Sequence, residues 1–313
     1  MSADLVCIGE PMLEFNQQPT TADGRRLYLE GPGGDTSNAG IAAARQGVRV
    51  AMVTALGQDP AGERFMELWD QEGIDRSAVR RSATNPTAVY FVTHGKNGHE
   101  FLYYRNNSAA ASLVPGDIPE ALIAGAKYVY ASGISQGISA SAADAVFHAI
   151  DLARRHGVKV AYDTNYRPRL WPIARAAAVI HAAIGQADIA LPSLEDAQAL
   201  TGLSGADAIC DFYLRLGPRM VVLKMGAAGA LLATPTTRTA IPPFACTPVD
   251  GTGAGDTFCG SFLARLIAGD DAEAAARYAG AAAALKTEGY GAVAPIPRAA
   301  VVRAALERAA RTA

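Results

Sequence analysis

Short apolar runs alternate with Ala-rich stretches of helical spacing along most of this chain, and no other feature narrows its fold as much. The runs LVCIGE (5–10), VRVAMVTALG (48–57), AKYVYASG (126–133), VKVAYDTN (158–165), ADIALPS (187–193) and RMVVLKMG (219–226) each read as a buried strand that stops near Gly, Asp, Asn or Ser. Helical patterns at 37–46, 60–72, 140–156 and 173–185 separate them. A strand that is apolar on both faces and is followed by a crossover helix belongs to a parallel sheet covered on both sides. The expected fold is therefore α/β, a three-layer α/β/α sandwich with a mostly parallel central sheet. In such sheets ligands lie beyond the carboxyl ends of the strands.

Two segments break this rhythm. GRRLYLEG (24–31) and TAVYFVTHGKNGHEFLYYRN (87–106) alternate apolar and polar residues, and HGKNGH within the second reads as a hairpin turn. A few antiparallel strands are too small to stand alone. They predict a discontinuous β lid from about 10–35 and 85–110 across the site, with an ordinary edge hairpin as the plainer alternative. No linker, low-complexity tract or internal repeat divides the 313 residues, so a single domain over 1–313 is expected.

The remaining composition excludes several classes. The net charge of -2 comes from 28 basic and 30 acidic residues with no long run of either sign, which disfavours nucleic acid and anionic membranes as partners. Cys7, Cys210, Cys246 and Cys259 form no C-x-x-C pair and read as free thiols in a reducing compartment. His94, His99, His148, His156 and His181 lack metal-ligand spacing. MSADLVCIGEPMLEF has no basic stretch leading into an apolar one, and no segment reaches the ~18 apolar residues that span a bilayer. A cytoplasmic protein is expected.

Chemistry enters with DGTGAGDTF (250–258), which runs into the apolar helical pattern of CGSFLARLIAG. Backbone N–H groups of Gly253, Ala254 and Gly255 would point out of the helix start, where the helix dipole also favours negative charge. Such an anion hole suits a transferring phosphoryl group, which needs donors in place before the reaction. Asp256, on the first turn beside it, has the position of a general base for an attacking hydroxyl. Its plainer reading is a favourable charge at a helix N-terminus. Neither a Walker A loop nor a protein-kinase signature is present. A dinucleotide-binding dehydrogenase is excluded because CIGEPMLEFN lacks G-x-G-x-x-G.

DGTGAGDTFCGSFLARL (250–266) and GPGGDTSNAGIAAARQGVRVAMVTALGQDPAGERF (31–65) together resemble the two signatures of the ribokinase-like (PfkB) carbohydrate kinases, and the similarity runs essentially end to end. The resemblance implies a ribokinase-like fold, ATP, Mg2+ and phosphorylation of a sugar hydroxyl, and it leaves a monovalent cation open. It assigns Asp256 as catalytic base, and Gly253, Ala254 and Gly255 as the anion hole. Lys224, Gly226 and Gly229 in VVLKMGAAGALL (221–232) would line the nucleotide, although Lys224 otherwise reads as a strand-end lysine in solvent. The small side chains of AGAAAALKTEGYG (279–291) would let adenine lie against a helix, or simply pack as an Ala-rich helix does. Where the family usually has N-x-x-E near the metal, this chain has SLED. Asp196 would act there indirectly, through metal-bound water, while Ser193 also suits a helix cap.

Within the family, GGDTSNAG, TAVYF, FLYYRNNSAA and DTNYRPRLWP resemble the kinases of 2-keto-3-deoxygluconate more than fructokinase or ribokinase. That likeness carries over Gly34, Asp35 and Asn38 as sugar-hydroxyl contacts and Tyr90 and Tyr103 as lid contacts. It makes Arg105 and Arg167 a grip on the substrate carboxylate, chemistry that a guanidinium fork supplies. Asp35 and Asn38 would otherwise cap a helix. Open alternatives are a kinase for fructose or for the galactonate epimer, and a non-catalytic sugar-binding regulator on the same fold. Related kinases commonly pair lid to lid, so a homodimer or higher homo-oligomer is expected.

Overall fold

The computed structural model describes residues 3–95 and 98–312. In chain order its strands are β1 Leu5–Ile8, β2 Met12–Gln17, β3 Tyr28–Gly33, β4 Val50–Gly57, β5 Val79–Ser82, β6 Ala88–Gly95, β7 Gly98–Tyr104, β8 Tyr128–Ser132, β9 Lys159–Asp163, β10 Ile189–Ala190, β11 Met220–Lys224, β12 Ala230–Ala233 and β13 Arg238–Ile241. Nine of them form one sheet in the order β13-β12-β11-β10-β9-β8-β1-β4-β5. From β11 through β5 the pairings are parallel, and β12 and β13 extend the sheet antiparallel.

All six apolar runs of the sequence lie in this sheet. β4 is buried at each of its eight positions, as a central strand with helices on both faces must be. The pleat divides β1 between two cores: Val6 and Ile8 pack with the Ala140–Arg155 and Ile173–Ile184 helices, Leu5 and Cys7 with Ile41, Trp69 and Phe262 on the opposite side. Helix, sheet, helix is thus the observed layering.

The other four strands form a second sheet in the order β3-β2-β6-β7. Here the sequence expectation needs a correction. β2–β3 and β6–β7 are antiparallel, but β2 and β6 pair parallel, Met12 through Asn16 against Ala88 through Val92. Strand periodicity tells which face a residue takes and not which strand lies beside it, so the joint between the two excursions was not readable. In HGKNGH the flanks pair as His94↔His99 and Gly95↔Gly98, whereas the turn's tip, 96–97, lies outside the described residues.

One long-range contact positions the site. A Cβ on Gly260 would lie 2.0 Å from the carbonyl oxygen of Ala39, so only glycine lets the Ala254–Ala268 helix cross the Asp35–Arg45 helix this closely. The starts of both helices are thereby brought together above the sheet.

Candidate active site

Gly253 is the N-cap of the Ala254–Ala268 helix and takes φ 76°, a left-handed conformation that glycine adopts without strain. Gly253, Ala254 and Gly255 all reach the surface, where first-turn N–H groups lack intrahelical acceptors. One of the three expected donors is engaged, because Ala254 N–H donates to Gly251 O at 3.1 Å.

Asp256 follows on the same turn, and Asn38 Nδ2 donates to its Oδ2 at 2.8 Å. Burial, followed by the negative charge of Asp35, pushes its carboxyl up to about 7, against the bond from Asn38. A carboxyl poised there can accept a proton at neutral pH.

Asp35 and Asn38 do not cap their helix. Its N-cap is Gly34, with φ 101° and no side-chain cap bond. Asp35 is buried, accepting from Ser132 Oγ and from Asn165 Nδ2 at 2.8 Å. Ser132 ends β8 and Asn165 follows β9, so this polar cluster sits at the carboxyl ends of the strands. Burial raises the Asp35 carboxyl too. Asn165 holds φ 30°, an uncommon backbone state for a non-glycine residue and one that clusters at functional sites.

Lys224, at the end of β11, is not a solvent lysine. Its Nζ bonds Asp163 Oδ2 at 2.6 Å and Cys259 Sγ at 3.2 Å. Burial alone would lower its pKa, but the Asp163 carboxylate holds the ammonium charged, well above the ordinary lysine value. A Cβ on Gly255 would stand 3.8 Å from this Nζ, so the cation lies against the glycine turn. Gly226 and Gly229 flank the short turn from β11 to β12, just past Lys224.

Ser193 Oγ caps the Leu194–Thr201 helix by accepting Asp196 N–H at 3.2 Å, as the plainer reading of SLED expects. Asp196 Oδ2 meanwhile accepts from Thr164 Oγ1 at 3.3 Å. Burial and the nearby Asp163 raise its carboxyl, with Arg167 opposing. Among the described residues no group of three His, Cys, Asp or Glu side chains forms a metal cage.

The smaller sheet contributes aromatics and an arginine. Tyr90 donates to Glu14 Oε2 at 2.5 Å and stacks on Tyr103, ring centroids 5.6 Å apart, and the Arg105 guanidinium lies 5.7 Å from the Tyr103 centroid. Arg105 pairs with Glu10, a fully buried carboxylate just past β1 that also accepts from Ser108 Oγ at 2.5 Å. Arg167 is exposed; among the described residues its guanidinium bonds the Tyr166 carbonyl at 2.8 Å and makes no ion pair, while its own carbonyl accepts Leu170 N–H at 2.9 Å.

Sequence reasoning did not single out Glu10, Glu14, Asp163, Ser132, Asn165 or Cys259 as site residues. Glu10 and Glu14 carried a signal, since acids inside the apolar run CIGEPMLEF must find partners when buried. All four cysteines are free, and burial keeps Cys259 a thiol.

A glycine turn at a helix start, a neighbouring carboxyl near neutrality and a polar cluster at the strand ends thus come together in one place on an α/β fold. The chain belongs to the family described as pfkB family carbohydrate kinase, whose sequence profile matches residues 2–299. It is 30% identical over 297 residues to the 2-dehydro-3-deoxygluconokinase of Bacillus subtilis (strain 168), covering 93% of this chain and 91% of that one. It is 31% identical over 308 residues to fructokinase-1 of Oryza sativa subsp. japonica, covering 94% of each. Among solved structures, the fructokinase with bound ATP from Xylella fastidiosa superimposes with a TM-score of 0.90 at 25% identity, covering 98% of both chains. The ribokinase-like fold expected from the sequence is the fold observed.

Proposed function

We propose that this chain transfers the γ-phosphoryl group of ATP to the terminal hydroxyl of 2-keto-3-deoxy-D-gluconate, giving the 6-phosphate and ADP. The observation that carries the reading is the position of Asp256, beside the Gly253–Gly255 turn on one side and bonded to Asn38 on the other. Asp256 takes the proton of the attacking hydroxyl as its oxygen closes on phosphorus. The N–H groups of the turn and the ammonium of Lys224 meet the charge that develops on the transferring group. A non-catalytic sugar binder would have no use for a carboxyl near neutrality at that spot.

Gly34, Asp35 and Asn38 hold the sugar, and Tyr90 and Tyr103 cover it from the smaller sheet, a lid that excludes water as a competing nucleophile. Lys224, Gly226 and Gly229 line the nucleotide. Mg2+, when bound, offsets phosphate charge. It is ordinarily held by one or two carboxylates together with substrate phosphates and water rather than by a cage of side chains, and Asp196, half-buried beside Asp163, fits that donor set.

The sugar acid's carboxylate goes to Arg167, with Arg105 behind it. A second reading, a neutral sugar such as fructose, is favoured by one observation: Glu10 already opposes the charge of Arg105. The gluconokinase and fructokinase relatives stand at nearly the same identity. ADP release from Mg-ATP with 2-keto-3-deoxygluconate, its galactonate epimer, fructose and ribose side by side separates the readings. Preference for the keto-deoxy acids that disappears in Arg167→Ala supports the first, and turnover of neutral sugars alone supports the second.

Leu102 and Tyr104 of β7 and Tyr28 of β3, all exposed, rim a concavity of about 660 Å³ over Phe91 on the smaller sheet. We propose that a second copy covers this face in a homodimer. Among the described residues no helix is long and apolar enough to cross a membrane. ATP as co-substrate points to the cytoplasm.

A further inference from the structure

The Ala272–Lys286 helix ends on a lysine that the scheme above does not use, and its side chain is fully buried, 0% exposed. An ammonium is left in such a place only when acceptors surround it. Lys286 Nζ donates to the main-chain carbonyl of Asp250 at 2.9 Å. Burial lowers its pKa from the ordinary lysine value, and the charges of Asp250, Asp256 and Glu14, together with the negative end of its own helix, oppose that and favour the ammonium.

The residues that Lys286 contacts lead directly into the glycine turn. Val249 and Asp250 N–H groups donate to Thr287 O at 2.7 and 2.9 Å. Asp250 Oδ2 accepts Gly291 N–H at 2.8 Å, and its Oδ1 accepts Thr252 N–H at 2.9 Å. Gly253 packs on Ala292, whose carbonyl oxygen would lie 3.0 Å from a Cβ there. The strap from 249 to 253 is thus tied to 286–292 from both sides: the half-buried Asp250 offers its carboxylate to the N–H groups of Thr252 and Gly291 and its main-chain carbonyl to the buried Lys286 Nζ. Without the lysine that carbonyl would lose its partner, the Asp250 charge would lose a nearby cation, and the strap would loosen.

We propose that Lys286 is a positioning residue for phosphoryl transfer: its buried ammonium is a resident cation that fixes the Asp250–Gly253 strap, and through it the aim of the Gly253–Gly255 N–H groups. The inference rests on the phosphotransferase reading of that turn. With an ammonium built into the chain, the strap needs no added monovalent ion.

The test compares Lys286→Ala, which leaves room for a small amine, and Lys286→Met, which keeps the stem and loses the charge. Two readouts are taken: steady-state transfer and backbone amide exchange over 249–255, each in choline, potassium, ammonium or methylammonium chloride. Wild-type turnover is expected to be the same in all four salts. Misaimed donors should cost about 100-fold in kcat with the sugar KM nearly unchanged. Exchange over 249–255 should accelerate in both variants, and ammonium or methylammonium should restore kcat and slow exchange in Lys286→Ala while choline does neither. A kcat within about threefold of wild type, a loss that no cation rescues, or a wild type that requires potassium overturns the proposal. If the wild type transfers phosphate to no acceptor, the kinase reading fails by itself. The exchange data then still decide whether the ammonium holds the strap, since unchanged exchange in Lys286→Met refutes it.

Discussion

Changing Asp256 to Asn should make the protein more stable at alkaline pH, because the site holds a carboxyl where a charge is costly. Its pKa stands at about 7 in the folded chain against the ordinary aspartate value of 3.8, so between those values the folded state keeps a proton that the unfolded chain has lost. More protons bound to the native state means that stability falls as pH rises through this window and levels off above about pH 7. About three pKa units at 1.36 kcal/mol each set an upper limit of roughly 4 kcal/mol. Asp256 is only half-buried, and Asp35 beside it can take up part of the proton in its place, so about 1–3 kcal/mol is the expected size. Asparagine keeps an oxygen to accept the Asn38 bond, so the substitution removes little except the ionisation. The assay is urea unfolding of both proteins at about pH 5 and about pH 8, where the variant should gain on the wild type at both values and by roughly twice as much or more at the higher one. A variant that is less stable at the higher pH, or a difference that does not change with pH, would refute the electrostatic account of this carboxyl.

Further outcomes follow from the same geometry. If Asp256 is the base, kcat/KM should rise with pH through about 7 and then plateau, and a flat profile across that range removes it from the role. Arg105→Ala strands the buried Glu10 and should cost about 3 kcal/mol in denaturant unfolding, a loss that Glu10→Gln in the same chain partly reverses; equal stabilities of the single and double variants would show that the pair is not coupled. Arg167→Ala, which breaks no ion pair, should leave stability within about 0.5 kcal/mol of the wild type, as unfolding in urea reports. If a second copy covers the smaller sheet as proposed, wild type should sediment as a dimer and Leu102→Glu as a monomer; a wild-type monomer would refute the homodimer, and a variant of unchanged dimer mass would place the interface elsewhere.

The sequence disclosed the central sheet because strands buried on both faces are continuous apolar runs, and because the runs end where polar clusters begin. It disclosed Asp256 and its turn because glycines ahead of an apolar helix are local features. The edge strands were harder. β5, VRRS, and β13, RTAI, are short and partly polar, and they read as loops until a neighbour supplies their hydrogen bonds. The partners of the charged residues were invisible for another reason. Glu10 meets Arg105 across 95 residues, Asp163 meets Lys224 across 61, and Asn38 meets Asp256 across 218. Lys286 resembled any solvent-facing lysine at the end of an Ala-rich helix, and only the packing of 249–253 against 286–292 encloses it.

The most direct test of the central claim is phosphoryl transfer by Asp256→Asn, measured together with calorimetric binding of the sugar acid and of ATP. The account predicts that both ligands still bind within a few-fold of wild type while kcat falls by about three powers of ten or more, since only the proton acceptor is gone. Near-normal turnover in that variant would contradict it.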